Sequence, residues 1–281
     1  MKNSLKLSIL LFLSFLSITA QNATNNLIVE KYLPKLDRIF ELHGMTKQIH
    51  PALENVYPVA IAEEGQFFIF EPAVDNKYHF VKQTAITSPV LVGIRAAFPL
   101  QENDNKMTCI VTGEVFDSLD GYAIIFHEFV HCAEFATVEL KLKENLEIYK
   151  RAMEQKDWMW ELNYPFPYTK KEFTEAYASL LSTRMQNDLE AAKEIRKNLR
   201  LLLSKEEYSY MSWVEWKEGF ARWVENKVRN KFNIKENHAG GIEPFDRVTF
   251  YKVGSQLIEL IFNSNPQVVP DLEKLYESIK Q

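Results

Sequence analysis

The first hundred residues change from a helical to a strand-like pattern of apolar positions. Apolar residues recur three or four positions apart over residues 27–45, which predicts an amphipathic helix. Two short apolar runs within residues 56–70 flank Gly65, and this pattern is typical of a β-hairpin. Apolar runs at residues 89–94 and 107–112, separated by a break rich in Pro and Asn, predict further strands.

The rest of the chain has a helical pattern. A long periodic stretch over residues 119–160 predicts a bent or split helix. Hydroxyl residues followed by acidic ones predict helix starts for segments at about 169–203 and 204–232. Two further helices are predicted over 248–263 and 270–279. Strands followed by helices indicate the α+β class, with a small mixed or antiparallel sheet packed on the helix that begins near residue 119.

The chain is predicted to have three parts. Residues 1–20 combine a basic start, a short apolar core and small residues before the end, which predicts a secretory signal peptide cut after Ala20. Residues 21–118 form a β-rich N-terminal part, and residues 119–281 form a helical part that joins it in one two-lobed unit. The leader predicts a secreted or periplasmic protein, without stable membrane insertion once the leader is removed.

Charge and cysteine content narrow the function classes. The formal net charge of −5 becomes more negative once the leader and its two lysines are removed. An acidic chain has no electrostatic reason to bind nucleic acid, so we expect no such partner. Cys109 and Cys132 are interpreted as structural residues, either free and buried or paired with each other. Nothing in the sequence indicates the oligomeric state.

The stretch from His127 to His131 reads H-E-x-x-H inside an apolar, helix-compatible run. Residues four apart lie on one face of a helix, so the two imidazoles can converge on one ion. Two neutral imidazole nitrogens suit Zn²⁺, and Glu128 is placed to take a proton from an attacking water. Burying two histidines in an apolar helix would otherwise cost desolvation energy without a packing gain. The motif therefore predicts a zinc hydrolase, most often a peptidase.

A catalytic zinc needs a third protein ligand, for which Glu218 and Glu175 are the candidates. Residues 218–223 read E-G-F-A-R-W and resemble the E-G-x-A-x-aromatic motif of gluzincins, the peptidase clan that includes the M1 aminopeptidases. The resemblance implies a zincin-like fold and makes Glu218 the third ligand. It also implies that Gly219 lets the ligand helix pass close to the H-E-x-x-H helix.

The resemblance extends to about residues 119–262. Residues 251–254 look like the Y-x-x-G helix start of the same enzymes, which implies that Tyr251 stabilises the oxyanion. The long interval between the second histidine and Glu218 implies an inserted helical hairpin and keeps Glu175 as an alternative ligand. No G-x-M-E-N sequence precedes the zinc helix, so aminopeptidase specificity is not implied. His238 is interpreted either as a surface-loop residue or as a second donor to substrate.

These patterns together predict a secreted zinc metallopeptidase-like hydrolase. In this hypothesis a zinc-activated water attacks a bond of a peptide or protein substrate, with Glu128 as general base. Two alternatives remain open. One is a catalytically inactive zincin-like protein with a binding or structural role, and the other is a zinc hydrolase of a non-peptide amide or ester.

Overall fold

The computed structural model describes residues 26–87 and 90–281. The predicted signal peptide and the start of the strand predicted at residue 89 lie outside the described residues. Helix α1 spans residues 26–46, in agreement with the amphipathic pattern of this segment. In the described part of the chain, no helix combines the length and apolar character needed to cross a bilayer.

One five-stranded sheet follows α1. Its strands are β1 (Val59–Glu63), β2 (Gln66–Pro72), β3 (Tyr78–Ala85), β4 (Arg95–Leu100) and β5 (Lys106–Thr112). The spatial order is β3-β2-β1-β5-β4, with β1 and β5 parallel and the other neighbours antiparallel, so the sheet is mixed. The β1–β2 hairpin turns at Glu64 and Gly65, both of which have positive φ, as the sequence predicted.

Two features of the sheet differ from expectation. Residues 90–94 do not form a strand, because Leu91 and Val92 point to solvent and Gly93 turns the chain with φ 84° just before β4 begins. Strand β3 was not predicted, because most of its side chains are exposed or half-buried and it lacks a clean alternation of apolar and polar residues. The strand at residues 107–112 is confirmed as β5.

The remainder is helical, and its elements are listed in chain order. They are α2 (Leu119–Glu134), a π-helical turn (Phe135–Glu139), α3 (Leu140–Lys143), α4 (Glu147–Gln155), α5 (Trp160–Asn163), α6 (Lys171–Gln186), α7 (Leu189–Leu202), α8 (Lys205–Lys231), α9 (Arg247–Ser264) and α10 (Leu272–Lys280). The stretch from 119 to 160 is therefore split, as expected. The single helix expected over 169–203 is two helices, because Asn187 adopts positive φ and Asp188 caps α7.

Helix α2 lies at the centre of the molecule. It packs against β4 and β5 on one side and against α8 on another, and buried side chains of both parts form one continuous core. Helix α8 begins at a capping box in which the Ser204 hydroxyl accepts from the Glu207 amide and the Glu207 carboxylate accepts from the Ser204 amide. The class is α+β, with the sheet on one side of α2 and the long helix α8 on another.

The close approach expected of Gly219 occurs at a different helix. A Cβ on Gly219 would lie 2.6 Å from Cα of Gly254, and one on Gly254 would lie 2.0 Å from the carbonyl oxygen of Glu215. The helix that Gly219 allows to approach closely is therefore α9. Helix α8 also packs on α2, but not through this glycine, so the expectation about the partner of Gly219 was wrong. The glycines of the two short motifs meet at one helix crossing, where no larger side chain fits.

Candidate metal centre

Helix α2 carries the two histidines into the interior. The Ser118 hydroxyl caps its first turn by accepting from the Gly121 amide, and most of its residues are buried because neighbours cover several of its faces. His127 and His131 are both buried, and their rings meet edge to face with centroids 4.9 Å apart. The histidines therefore lie on one face of the helix, as their spacing predicted, and that face is turned toward α8.

Helix α8 brings Glu218 to the same point. Oε2 of Glu218 lies 3.8 Å from Nε2 of His127 and 3.5 Å from Nε2 of His131, and the two Nε2 atoms are 3.2 Å apart. These residues form a group whose ligand atoms all lie within 4.8 Å of one another. The third corner of the triangle is Glu218, which is far from the histidines in the sequence, so its position depends on the packing of α8 on α2.

Each histidine is held from behind by a carboxylate. Nδ1 of His127 is 3.1 Å from Oε2 of Glu225, and Nδ1 of His131 is 2.7 Å from Oε2 of Glu134. A carboxylate accepts, so each Nδ1 carries a hydrogen and donates it. When the rings are neutral, each Nε2 then carries a lone pair and no hydrogen. Carboxylates in this position fix the tautomer and orientation of metal-binding histidines.

Three acceptor atoms consequently lie around one buried point. The atoms involved are Nε2 of His127, Nε2 of His131 and Oε2 of Glu218, and none of them brings a hydrogen when the rings are neutral. Only a cation, either a metal ion or protons, relieves the repulsion. Without a metal ion, burial lowers the pKa of His127, but hydrogen bonds to Glu218 and Glu225 raise it to about 9.

The other two pKa shifts have the same origin. Burial works against the charged form of His131, yet the charge and hydrogen bond of Glu134 hold its pKa well above the usual value. Burial works against the charged form of Glu218, yet hydrogen bonds from both histidines hold its pKa well below the usual value. The buried carboxylates of this centre therefore favour a positive charge between them, on the histidines or on a bound cation.

The dimensions of the triangle fit Zn²⁺. The point equidistant from the three atoms, fixed by their separations, is about 2.0 Å from each, which matches zinc bonds to imidazole nitrogen and carboxylate oxygen of roughly 2.0–2.2 Å. Two imidazoles and one carboxylate also form a donor set found in catalytic zinc sites, in which a fourth position stays open. The residues present therefore fit this ion in both chemistry and size.

Glu128 lies beside the triangle on α2. Its side chain is buried, and burial raises the pKa of its carboxyl group, although the two histidines oppose the shift. A carboxyl group with a raised pKa accepts a proton more readily than an exposed one, as a general base must. The position of Glu128 is compatible with the general-base role predicted from the motif, which stays a prediction.

Tyr251 lies on α9, linked to the triangle through one arginine. Its hydroxyl accepts from Nη1 of Arg247, and Nη2 of the same guanidinium donates to Oε1 of Glu218 at 2.9 Å. The guanidinium groups of Arg247 and Arg222 lie 5.1 and 5.6 Å from the centroid of the tyrosine ring. The structure thus connects the candidate oxyanion donor with the candidate third ligand.

The remaining sequence candidates lie elsewhere. Glu175 is exposed on α6 and forms an ion pair with Lys171, and it does not belong to the group around the two histidines. His238 is in the loop before α9, where its ring contacts Lys252 and Glu236. Cys109 and Cys132 are both free and buried. Of the two third-ligand candidates, the structure brings only Glu218 to the histidines.

Three residues of this centre were not predicted from the sequence: Glu134, Glu225 and Arg247. Glu134 follows His131 by three positions and Glu225 follows Glu218 by seven, spacings that return to the same helix face after one and two turns. Those spacings could have identified the two glutamates from the sequence. No sequence pattern identifies Arg247, because its role depends on α9 crossing α8.

Comparisons with models of protein families, with curated proteins and with solved structures find no match to this chain.

Proposed function

We propose that this protein is a zinc-dependent, gluzincin-like metallopeptidase, exported through the leader at residues 1–20. The proposal is carried by one observation, the arrangement of the ligand atoms of His127, His131 and Glu218 around a buried point about 2.0 Å from each. The carboxylates behind the two histidines support the same conclusion, because they orient the rings for a cation.

The residues around this point can carry out hydrolysis. When bound, Zn²⁺ supplies a Lewis acid that polarises a carbonyl group and lowers the pKa of water toward neutrality. Glu128 takes a proton from the attacking water and passes it to the leaving amine. Tyr251 donates its hydroxyl hydrogen to the oxygen on which negative charge develops. The triangle, Glu128 and Tyr251 come from α2, α8 and α9, which form one packed unit.

A peptide is the substrate class that the sheet favours. Strand β4 is an edge strand that packs against α2, and no strand of the described residues pairs with its outer edge. An extended peptide can add to such an edge through main-chain hydrogen bonds. Ala96 and Ala97 keep part of this strand free of bulky side chains, which supports access of a backbone. An ester or a small amide would make no use of this edge.

The proposal is tested by separating zinc binding from turnover. We expect the purified protein to contain one zinc ion and to cleave a mixed peptide library. Glu128→Gln should retain the zinc but lose about 10²–10⁴-fold in cleavage rate, since it removes the proton acceptor. Metal analysis and product mass spectrometry measure the two quantities independently. Parent-like cleavage by the Gln variant would refute the assigned role of Glu128.

The third ligand is tested with a matched pair of variants. Glu218→Ala should release zinc, whereas Glu175→Ala, a change of the same size on the exposed face of α6, should retain it. The opposite result would move the metal centre to the other helix. Stoichiometric zinc without cleavage of any peptide would instead favour a binding protein on the same scaffold, and cleavage of esters alone would favour a non-peptide hydrolase.

A further inference from the structure

Arg247, the first residue of α9, is bonded to three different groups around the metal centre. Its Nη2 donates to Oε1 of Glu218 at 2.9 Å, its Nη1 donates to the hydroxyl of Tyr251, and its Nε donates to the main-chain oxygen of Glu161 at 2.9 Å. The side chain is only 15 % exposed. A guanidinium has donors only and a planar, rigid shape, so three acceptors fix its position.

We propose that Arg247 is a positioning residue that keeps Glu218 a one-oxygen ligand and directs the hydroxyl hydrogen of Tyr251 toward the substrate. This inference rests on the proposed function, because it assigns a role within the same centre. Arg247 itself contacts no ligand atom of the triangle: the oxygen that it binds is Oε1 of Glu218, whereas Oε2 faces the histidines.

The first part of the role follows from how the two oxygens of Glu218 are divided. Oε2 is directed to the two imidazoles, and Oε1 is occupied by the guanidinium. If Oε1 were free, both oxygens could bind the ion beside the open position, which would raise the coordination number and crowd that position. Arg247 therefore preserves the open position by giving Oε1 a charge-assisted hydrogen bond in a buried environment.

The second part follows from the hydrogen count at Tyr251. A phenol has one hydrogen to donate and an oxygen that accepts. Arg247 can only donate, so the phenol oxygen is the acceptor in this bond and its own hydrogen is left for another partner. A neighbouring cation also polarises the O–H bond. The guanidinium thereby prepares Tyr251 as a donor for developing negative charge.

The third contact ties this arrangement to the long segment between His131 and Glu218. Glu161 lies in α5, and its main-chain oxygen accepts from Nε of Arg247 and also from the hydroxyl of Tyr210. Its carboxylate contacts Lys143 and Lys217, the second of which precedes Glu218 on α8. The segment therefore contributes the main-chain oxygen that holds the arginine, in addition to Glu134, which accepts from His131.

The test compares Arg247→Met with the parent, using Co²⁺ in place of zinc. Met keeps much of the length of the side chain and removes all three hydrogen bonds. We expect the variant to bind one metal ion but to show a weaker visible Co²⁺ absorption, because coordination rises above four when Glu218 binds through both oxygens. With the peptide that the parent cleaves fastest, kcat should fall about 10–100-fold while KM stays within about twofold.

A matched control is Arg151→Met. Arg151 also forms an arginine–glutamate pair, with Glu206, but this pair is on the surface and lies about 18 Å along α8 from Glu218. This variant should keep the parent spectrum and the parent kcat. If Arg247→Met loses its helical circular dichroism, Arg247→Lys is measured instead, since it keeps a cation but not the three-donor fork. Its kcat should still fall at least about tenfold.

The outcomes separate this inference from the proposed function. A parent-like Co²⁺ spectrum and kcat in a folded Arg247 variant would overturn the role of Arg247 and leave the peptidase intact. A parent that binds metal but cleaves nothing would contradict the peptidase, and the Co²⁺ spectrum would then decide the role of Arg247 alone. A parent that binds no metal would overturn both.

Discussion

Zinc binding to this centre should release protons, and the number released can be worked out from the structure. Without metal, the pKa of His127 is raised to about 9, so this ring is charged at pH 7, and the pKa of His131 is raised in the same direction. The pKa of Glu218 is held well below its usual value, so this ligand has no proton to lose. Since Nε2 must give up its hydrogen to bind the ion, we expect at least one proton released per zinc at pH 7.

The same shifts set the pH dependence of affinity. At pH 7 the proton on His127 alone weakens zinc binding by about 100-fold, or roughly 3 kcal/mol, because the pH is two units below its pKa. With at least one proton displaced, the apparent Kd should fall at least about tenfold for each pH unit between pH 6 and 8. Affinity therefore rises with pH over this range, until the pH passes the raised pKa values.

Calorimetric titration with zinc in two buffers of different ionisation enthalpy measures the proton count directly. Glu225→Gln should release fewer protons, because it removes one of the carboxylates that raise the pKa of His127. His79→Gln is the matched control, since His79 is an exposed histidine paired with Asp75 on the surface. Release of less than one proton per zinc at pH 7, or a Kd that does not change with pH, would refute this account of the charge in the centre.

Two predictions concern stability. Gly254→Ala should lower the free energy of unfolding by about 3 kcal/mol or more, measured by urea titration, because its Cβ would lie 2.0 Å from the Glu215 carbonyl oxygen. Gly44→Ala, in α1 with open space around it, should instead be neutral or stabilising, and equal losses in both variants would contradict the steric explanation. Burial lowers the pKa of His50 to about 4, so the unfolded state takes up its proton first and stability should be lost by roughly 3 kcal/mol as the pH falls from about 6.5 to 4. The pH dependence of unfolding in His50→Gln should lack this loss, and identical curves for parent and variant would rule out His50 as its source.

The parts of the fold predicted correctly have local causes. The β1–β2 hairpin depends on a glycine that tolerates positive φ, and the start of α8 depends on Ser204 and the glutamate three residues later. The errors have non-local causes. The apolar run around Leu91 resembles a strand, but Leu91 and Val92 are exposed and the chain enters the sheet only at Arg95. Local pattern cannot show which of two adjacent segments finds a neighbouring strand.

The candidate centre also has a part that follows from local sequence and a part that depends on the packing of distant helices. The spacing of His127 and His131 places both rings on one helix face, so this half of the triangle follows from the sequence. The choice between Glu218 and Glu175 follows only in part: the resemblance at residues 218–223 favours Glu218, but both are helical glutamates, and the packing of α8 on α2 brings Glu218 to the histidines. The carboxylates behind the histidines show both cases: Glu134 is one turn from its histidine, whereas Glu225 reaches His127 across the helix interface.

The crossing of α8 and α9 explains why two short motifs far apart in the sequence act as one unit. Gly219 and Gly254 contact each other through their main chains, and neither position has room for a Cβ. Glu218 directly precedes the first glycine, and Tyr251 lies one helical turn before the second. The crossing therefore sets the distance between Glu218, the candidate third ligand, and the phenol, and Arg247 spans that distance with two hydrogen bonds. A larger residue at either glycine would move Glu218 relative to Tyr251 without touching the histidines, so it should impair turnover even where metal binding survives.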